Sequence, residues 1–261
     1  MTRKINLLCM LCFSLLFVAE NLLAQPDREL ERPWKKWIHH VTKSPKKLDR
    51  LYLKQALLVT QEESVFGQMP IEKFVSQNRN LFSNLSSNES TRIFEHSDRK
   101  VLDIGYIRIE DEHQIVIDSV HYVVAWRRVG SDWLRELDVI LPVGDDDPHV
   151  GSKLDQLRST WVGYANSPNY ATLVDSLFHH DAMYLNNSQM SKGHQAITQR
   201  FDFMKSPNFH INLKKQNVLP VDDSTVIDIG NWITNEFVGY YLILWQKTEN
   251  GEWKILLYFN F

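Results

Sequence analysis

The feature that most constrains this chain is an internal repeat. Val101-Leu-Asp-Ile-Gly105 recurs as Val226-Ile-Asp-Ile-Gly230, 125 residues later. Ala56, Gly67 and Ile71 recur as Ala182, Gly193 and Ile197, each 126 residues later. Tyr122 and Trp126 answer Tyr241 and Trp245 at an offset of 119, and Trp133 answers Trp253 at 120. Upstream, Trp37 and Ser44-Pro45 answer Trp161 and Ser167-Pro168 at 124 and 123. The order is kept and the offset drifts only slightly, as insertions in surface turns make it drift. Two copies of one unit imply two domains of similar fold, and 261 residues accommodate them. The polar, turn-rich stretch Gly144-Asp-Asp-Asp-Pro148 reads as the joint. This divides the chain into a first domain over 25–143, a linker over 144–151 and a second domain over 152–261.

The first 24 residues stand outside the repeat. Arg3 and Lys4 precede an almost wholly apolar run over 5–18, and Leu22-Leu23-Ala24 places a small residue before Gln25. That is the layout of a secretory signal peptide over 1–24, with an uncleaved anchor as the alternative. The expected location is therefore outside the cytoplasm, periplasmic or secreted, with no membrane association after cleavage. Both cysteines, Cys9 and Cys12, lie inside this segment. The remainder has no thiol, so disulfides, thiolate nucleophiles and Cys-ligated zinc are excluded there. A net charge of −3 gives no basic field for nucleic acid.

In the second copy, Leu154, Leu157, Trp161 and Tyr164 form a helical stripe over 153–164. A second helix is predicted over 170–178, a short strand over 182–185 and a third helix over 194–204. Beyond Pro207 the chain turns β-rich, with strands predicted over 209–215, 225–234, 239–248 and 253–261. Asn250-Gly251 is a strong hairpin signal between the last two. About three helices followed by antiparallel strands means an α+β unit, with helices on one face of a curved sheet.

These elements carry a recognisable set of residues. His180-Asp-Ala-Met-Tyr184 lies at the helix-to-strand turn, and Gly193-His-Gln-Ala-Ile197 opens the third helix. Ile229-Gly-Asn-Trp232 falls in a middle strand, and Leu244-Trp-Gln-Lys247 with Gly251-Glu-Trp-Lys-Ile255 forms the closing hairpin. With them the second copy resembles the SnoaL-like branch of the nuclear transport factor 2-like superfamily. The first copy follows the pattern more loosely, with Leu53-Lys-Gln-Ala-Leu-Leu58 in place of the His-Asp-Ala segment and Gly67-Gln68 in place of Gly193-His194. The resemblance implies two tandem cone-shaped domains, each with an apolar pocket at its open end. It also implies that sheets pair, so two copies in one chain would form a pseudo-dimer within a monomer. Members of the superfamily include isomerases, cyclases, dehydratases and binding domains without chemistry, so the fold does not choose a function.

The candidate chemistry is proton transfer by a carboxylate or histidine in an apolar cavity. Strand alternation puts Asp228 on the same face as Gly230 and Trp232, and Asp103 repeats it in the first copy. The alternatives are an Asp on the solvent face or one paired across the two copies, because parity alone does not say which face is inward. His194 is the second candidate base. His180 sits where a helix C-terminus would also explain a histidine. Trp161, Tyr164, His180, Tyr184, Trp232 and Tyr258 are the candidate ligand-binding residues, although aromatics at such positions are more often core. No cofactor motif is present, and no metal is expected: adjacent histidines such as His39-His40 cannot share a helix face, and no ligand spacing recurs elsewhere. Because copy two keeps the polar signature, the leading expectation is a small-molecule-binding protein with its pocket there. The rivals are an isomerase, cyclase or dehydratase using Asp228 or His194 as base, and a protein-interaction module using exposed sheet faces.

Overall fold

A computed structural model describes residues 25–145 and 148–261, so the segment read as a signal peptide lies outside the described residues. The first half runs α1 (Gln25–Lys43), a 3-10 segment (Pro45–Leu51), β1 (Tyr52–Val59), β2 (Ser64–Phe66), α2 (Gln68–Gln77), β3 (Leu85–Ser97), β4 (Lys100–Glu110), β5 (Val116–Val129) and β6 (Asp132–Pro142). The second half runs α3 (Pro148–Ala165), α4 (Tyr170–Leu177), β7 (Phe178–Asn186), β8 (Gln189–Lys192), α5 (His194–Arg200), β9 (Ile211–Asp222), β10 (Thr225–Thr234), β11 (Val238–Lys247) and β12 (Trp253–Asn260). No helix among the described residues is long and apolar enough to cross a membrane.

Each half builds one six-stranded sheet, in the orders β2-β1-β6-β5-β4-β3 and β8-β7-β12-β11-β10-β9. The four later strands form the expected antiparallel meander. The hairpin between the helices joins the same sheet, with β1 parallel to β6 and β7 parallel to β12. The sheets are therefore mixed, and the short strand foreseen over 182–185 is longer. The first copy also replaces α4 by the 3-10 segment Pro45–Leu51.

Both faces of each sheet are covered. On one face lie the helices: Trp161, Leu173, Val174 and Ile197 from α3, α4 and α5 pack with Tyr184, Tyr241, Trp245 and Tyr258. The first domain does the same with Trp34, Trp37, Ile71 and Tyr122. On the opposite face the two sheets pack on each other. Leu57, Ile104, Val123 and Leu137 of the first share one core with Leu185, Ile229, Leu242 and Phe259 of the second. The result is helix, sheet, sheet, helix. Central strands buried on both faces need apolar residues at consecutive positions, which is what Tyr122-Val-Val-Ala-Trp126 supplies. Polar contacts flank this core: Ser188 Oγ donates to Glu136 Oε1 at 2.6 Å, the Gly144 amide donates to the Pro220 carbonyl at 3.1 Å, and Phe94 meets Tyr240 at 5.2 Å.

The repeated glycine has a steric cause. Register shifts beside Gly105 and Gly230 bring the neighbouring strand inward. A Cβ at Gly105 would lie 2.0 Å from the Glu89 carbonyl oxygen, and one at Gly230 would lie 2.3 Å from that of Lys214. Gly163, by contrast, has open space on α3. Gly105→Ala and Gly230→Ala should each lower the unfolding free energy by about 2–3 kcal/mol, the range of an overpacked core. Gly163→Ala should raise it by roughly 0.5–1 kcal/mol. Urea titration checks both, and equal effects at the three positions would contradict the steric account.

Candidate functional site

The face beneath the helices of each domain is the inside of a cone, and both repeated aspartates point into it. Asp228 on β10 and Asp103 on β4 are fully buried. The face left open by strand parity is thus the helix-covered one, neither solvent nor the surface between the copies. The two carboxylates are held differently. Asp103 accepts from Trp34 Nε1 at 2.7 Å, Ser90 Oγ at 2.9 Å, Tyr122 Oη at 2.9 Å and Trp126 Nε1 at 3.4 Å. Asp228 accepts from Arg158 Nη1 at 2.5 Å, Trp245 Nε1 at 3.4 Å and Tyr241 Oη at 3.5 Å.

Trp34 and Arg158 are equivalent positions, 124 residues apart, the same offset that relates Trp37 to Trp161. Neutral indole in one domain is replaced by guanidinium in the other. Burial raises the pKa of both carboxyl groups above the usual range, and the donors oppose it in both, with Arg158 the main opponent at Asp228. Arg158 also donates through Nη2 to Asp155, which is largely exposed. A charged chain therefore links the surface to the buried carboxylate.

The first cone carries the larger buried polar cluster, although it lacks the His-Asp-Ala and Gly-His segments of the second copy. Asp138 on β6 is fully buried and accepts from Arg135 Nη1 at 2.6 Å and from the Tyr52 hydroxyl. Burial and the Asp138 charge push the Tyr52 phenol well above its ordinary range. Trp37 Nε1 donates to Tyr52 Oη at 2.8 Å. The Arg135 guanidinium is enclosed by the faces of Trp37, Trp34 and Trp126 at 4.0, 4.1 and 4.7 Å, so cation–π attraction compensates part of its lost hydration. In the second cone the equivalents of Tyr52, Arg135 and Asp138 are Phe178, Ile255 and Tyr258, at offsets of 126, 120 and 120. Trp161 Nε1 there is buried without a hydrogen-bond partner.

The candidate ligand residues separate into three groups. Trp161, Tyr184 and Tyr258 are buried in the second core, with Trp161–Tyr258 and Tyr184–Tyr258 ring centroids 5.7 and 5.4 Å apart. Strict alternation along β12 would point Tyr258 away from Trp253 and Ile255. It shares their side, because a register shift beside Leu256 resets the alternation. Trp232 and Tyr164 are half-buried at the edge of this core, and the Trp232 ring lies across Gly239, where a Cβ would come within 2.2 Å of it. Beyond Trp232, a cavity of about 460 Å³ is lined by Phe203, Phe209, His210 and the Thr234-Asn-Glu-Phe237 turn. Phe203 and Phe237 are 52% and 64% exposed. The third group lies on the outer surface. His194 contacts Asp175 and the Phe178 carbonyl, each at 3.2 Å. His180 is exposed beside Asp181.

The structure also assembles a donor group that spacing concealed. His179, His180 and Asp181 each offer a ligand atom, all within 4.8 Å of one another. The rule that adjacent residues diverge holds for regular helices and strands, and these three lie in a bulge. Arg158, Arg135 and Asp138 were missed as well. The offset arithmetic that pairs Trp37 with Trp161 would have flagged Arg158 as the partner of Trp34.

Replacing Arg158 tests the second cone. The folded pKa of Asp228 lies above its unfolded value, so the stability linked to its proton is fully present below the unfolded pKa and lost as pH rises through the folded one. Arg158→Met should raise that pKa further and cost about 3–5 kcal/mol at neutral pH, the usual result of stranding one partner of a buried pair. The deficit should shrink as pH falls, and adding Asp228→Asn should restore much of it at neutral pH. Denaturant unfolding across pH reads all three; a pH-independent deficit would contradict the pairing.

No family model matches the sequence, and no curated protein matches it. Solved structures do. A nuclear transport factor 2-like protein of unknown function from Shewanella oneidensis is 13% identical, with a TM-score of 0.37, over 42% of this chain and 98% of its own. One from Pseudomonas putida is 12% identical, with a TM-score of 0.38, over 44% and 88%. Nuclear transport factor 2 from Cryptosporidium parvum is 14% identical, with a TM-score of 0.34, over 44% and 96%. These neighbours are nuclear transport factor 2-like proteins, and each covers 42–44% of this chain.

Proposed function

We propose that this is an exported, monomeric small-molecule-binding protein of the SnoaL-like kind, which takes an apolar or aromatic ligand at the mouth of its second cone. The observation that carries the reading is the cavity ringed by Phe203, Phe209 and Phe237, two of them more than half exposed. Aromatic side chains in water around a concavity are costly to maintain and favour an apolar guest. Phe209 connects the cavity to the half-buried Trp232 and Tyr164, which pack against the same core. Asn208, Thr234 and Asn235 supply polar groups at the rim.

Binding is favoured over proton transfer because Asp228 has no exposed surface and is ion-paired with Arg158. A base must reach the proton it takes. Its raised pKa is the observation on the side of the enzyme reading. The interaction-module reading loses its natural surface, because the sheet faces pack on each other.

The dye anilinonaphthalene sulfonate, an apolar aromatic probe, should bind saturably to the wild-type protein. Phe203→Ala and Phe237→Ala, at exposed positions, should each weaken it at least fivefold with an unchanged circular dichroism spectrum. Equal dye affinity in both variants would remove the site. For export, N-terminal sequencing of the protein recovered outside the cytoplasm should begin at Gln25.

A further inference from the structure

We propose that the bulge at the start of β7 is a binding site for a divalent transition-metal cation, built from His179, His180 and Asp181. The backbone explains how three consecutive residues converge. In the parallel pairing of β12 with β7, Ile255 aligns with Phe178, and the next aligned pair is Leu257 with Met183. Four residues, 179–182, thus oppose the single residue Leu256. The strand is thrown outward there and side-chain alternation is suspended. The imidazole rings of His179 and His180 lie 4.1 Å apart, tilted by 39°, and His180 Nε2 lies 2.8 Å from Asp181 Oδ2.

Two imidazoles and one carboxylate form a donor set suited to Zn²⁺, Ni²⁺ or Cu²⁺, and poorly suited to Mg²⁺ or Ca²⁺. Metal–ligand bonds of roughly 2.0–2.2 Å need donor atoms closer than the present spread. The side chains project into solvent or are only half-buried, so small rotations bring them in. His194, paired with Asp175, stands beside the bulge through its contact with the Phe178 carbonyl. Three protein ligands leave the remaining coordination positions to water or to a small anion.

The repeat supplies an internal comparison. β1 has the same bulge, between the Tyr52–Arg135 and Leu57–Leu137 pairs, and the same sequence of buried and exposed positions. It carries Leu53-Lys54-Gln55 in place of the donor triad. The backbone device is common to both domains, and the ligand set belongs to one.

The test is calorimetric titration of zinc chloride into the full chain carrying no histidine tag. One Zn²⁺ per chain should bind in the micromolar range. His180→Ala and Asp181→Asn, both at exposed positions outside the strand ladder, should each weaken it at least tenfold without changing the circular dichroism spectrum. His39→Ala combined with His40→Ala should leave it unchanged. The proposal is overturned if the wild-type chain takes up no zinc, if the β7 variants bind as tightly as wild type, or if the His39/His40 variant loses the ion. None of these readouts depends on the cavity of the second cone.

Discussion

The packing of one sheet against the other is the interaction on which the rest of the molecule depends. Twenty buried side chains from both halves form a single apolar cluster between the sheets. Each sheet must therefore be apolar on two faces, one for its own helices and one for its partner. Strands under that constraint have little room for polar residues except where a specific partner receives them. The aspartates of β4, β6 and β10 meet the condition by facing their own helices, where indole, phenol and guanidinium donors reach them. Facing the other way, each would have met the aliphatic surface of the opposite sheet.

Within that shared frame the two copies have exchanged the origin of their buried cation. In the first domain it comes from the sheet, as Arg135, and pairs with Asp138 on the same strand. In the second it comes from the helix, as Arg158, and pairs with Asp228 across the cone. Each exchange is accompanied by neutral replacements at the vacated positions: Trp34 answers Arg158, and Ile255 answers Arg135. Each buried arginine is thus paired with a carboxylate of its own domain, which offsets the cost of its burial in a low-dielectric interior. Neither cone borrows a counter-ion from the other.

Bulges account for much of the remaining geometry. The residues Glu136 and Leu256 are skipped at matching points in the last strands of the two sheets. Each skip resets the alternation, so that Arg135 and Asp138 share a side, as do Ile255 and Tyr258. The longer bulges at the starts of β1 and β7 each push four residues out of the ladder. The copies differ at the outward-facing residues of these bulges, Leu53-Lys-Gln55 against His179-His-Asp181, while the buried Ala56 and Ala182 that follow them are kept. Around the closing hairpin three aromatic positions recur unchanged, Tyr241, Trp245 and Trp253 answering Tyr122, Trp126 and Trp133.

The sequence by itself determined the duplication, the α+β composition of each half, most helix and meander boundaries of the second copy to within a few residues, and the equivalence of Asp103 with Asp228. It could do so because periodicity and recurrence are local properties, written in consecutive residues. It also singled out Trp161, Tyr184 and Tyr258, but not whether they line a pocket or fill a core, since both call for the same aromatic types. The tertiary structure decided what depends on neighbours remote in the chain. It put Asp228 under Arg158, seventy residues away. It added β1 and β7 to sheets whose other strands come much later, and drew Arg135 into a cage of three tryptophans. It also gathered His179, His180 and Asp181, because a bulge is set by the register of the partner strand, a property no single segment of sequence carries.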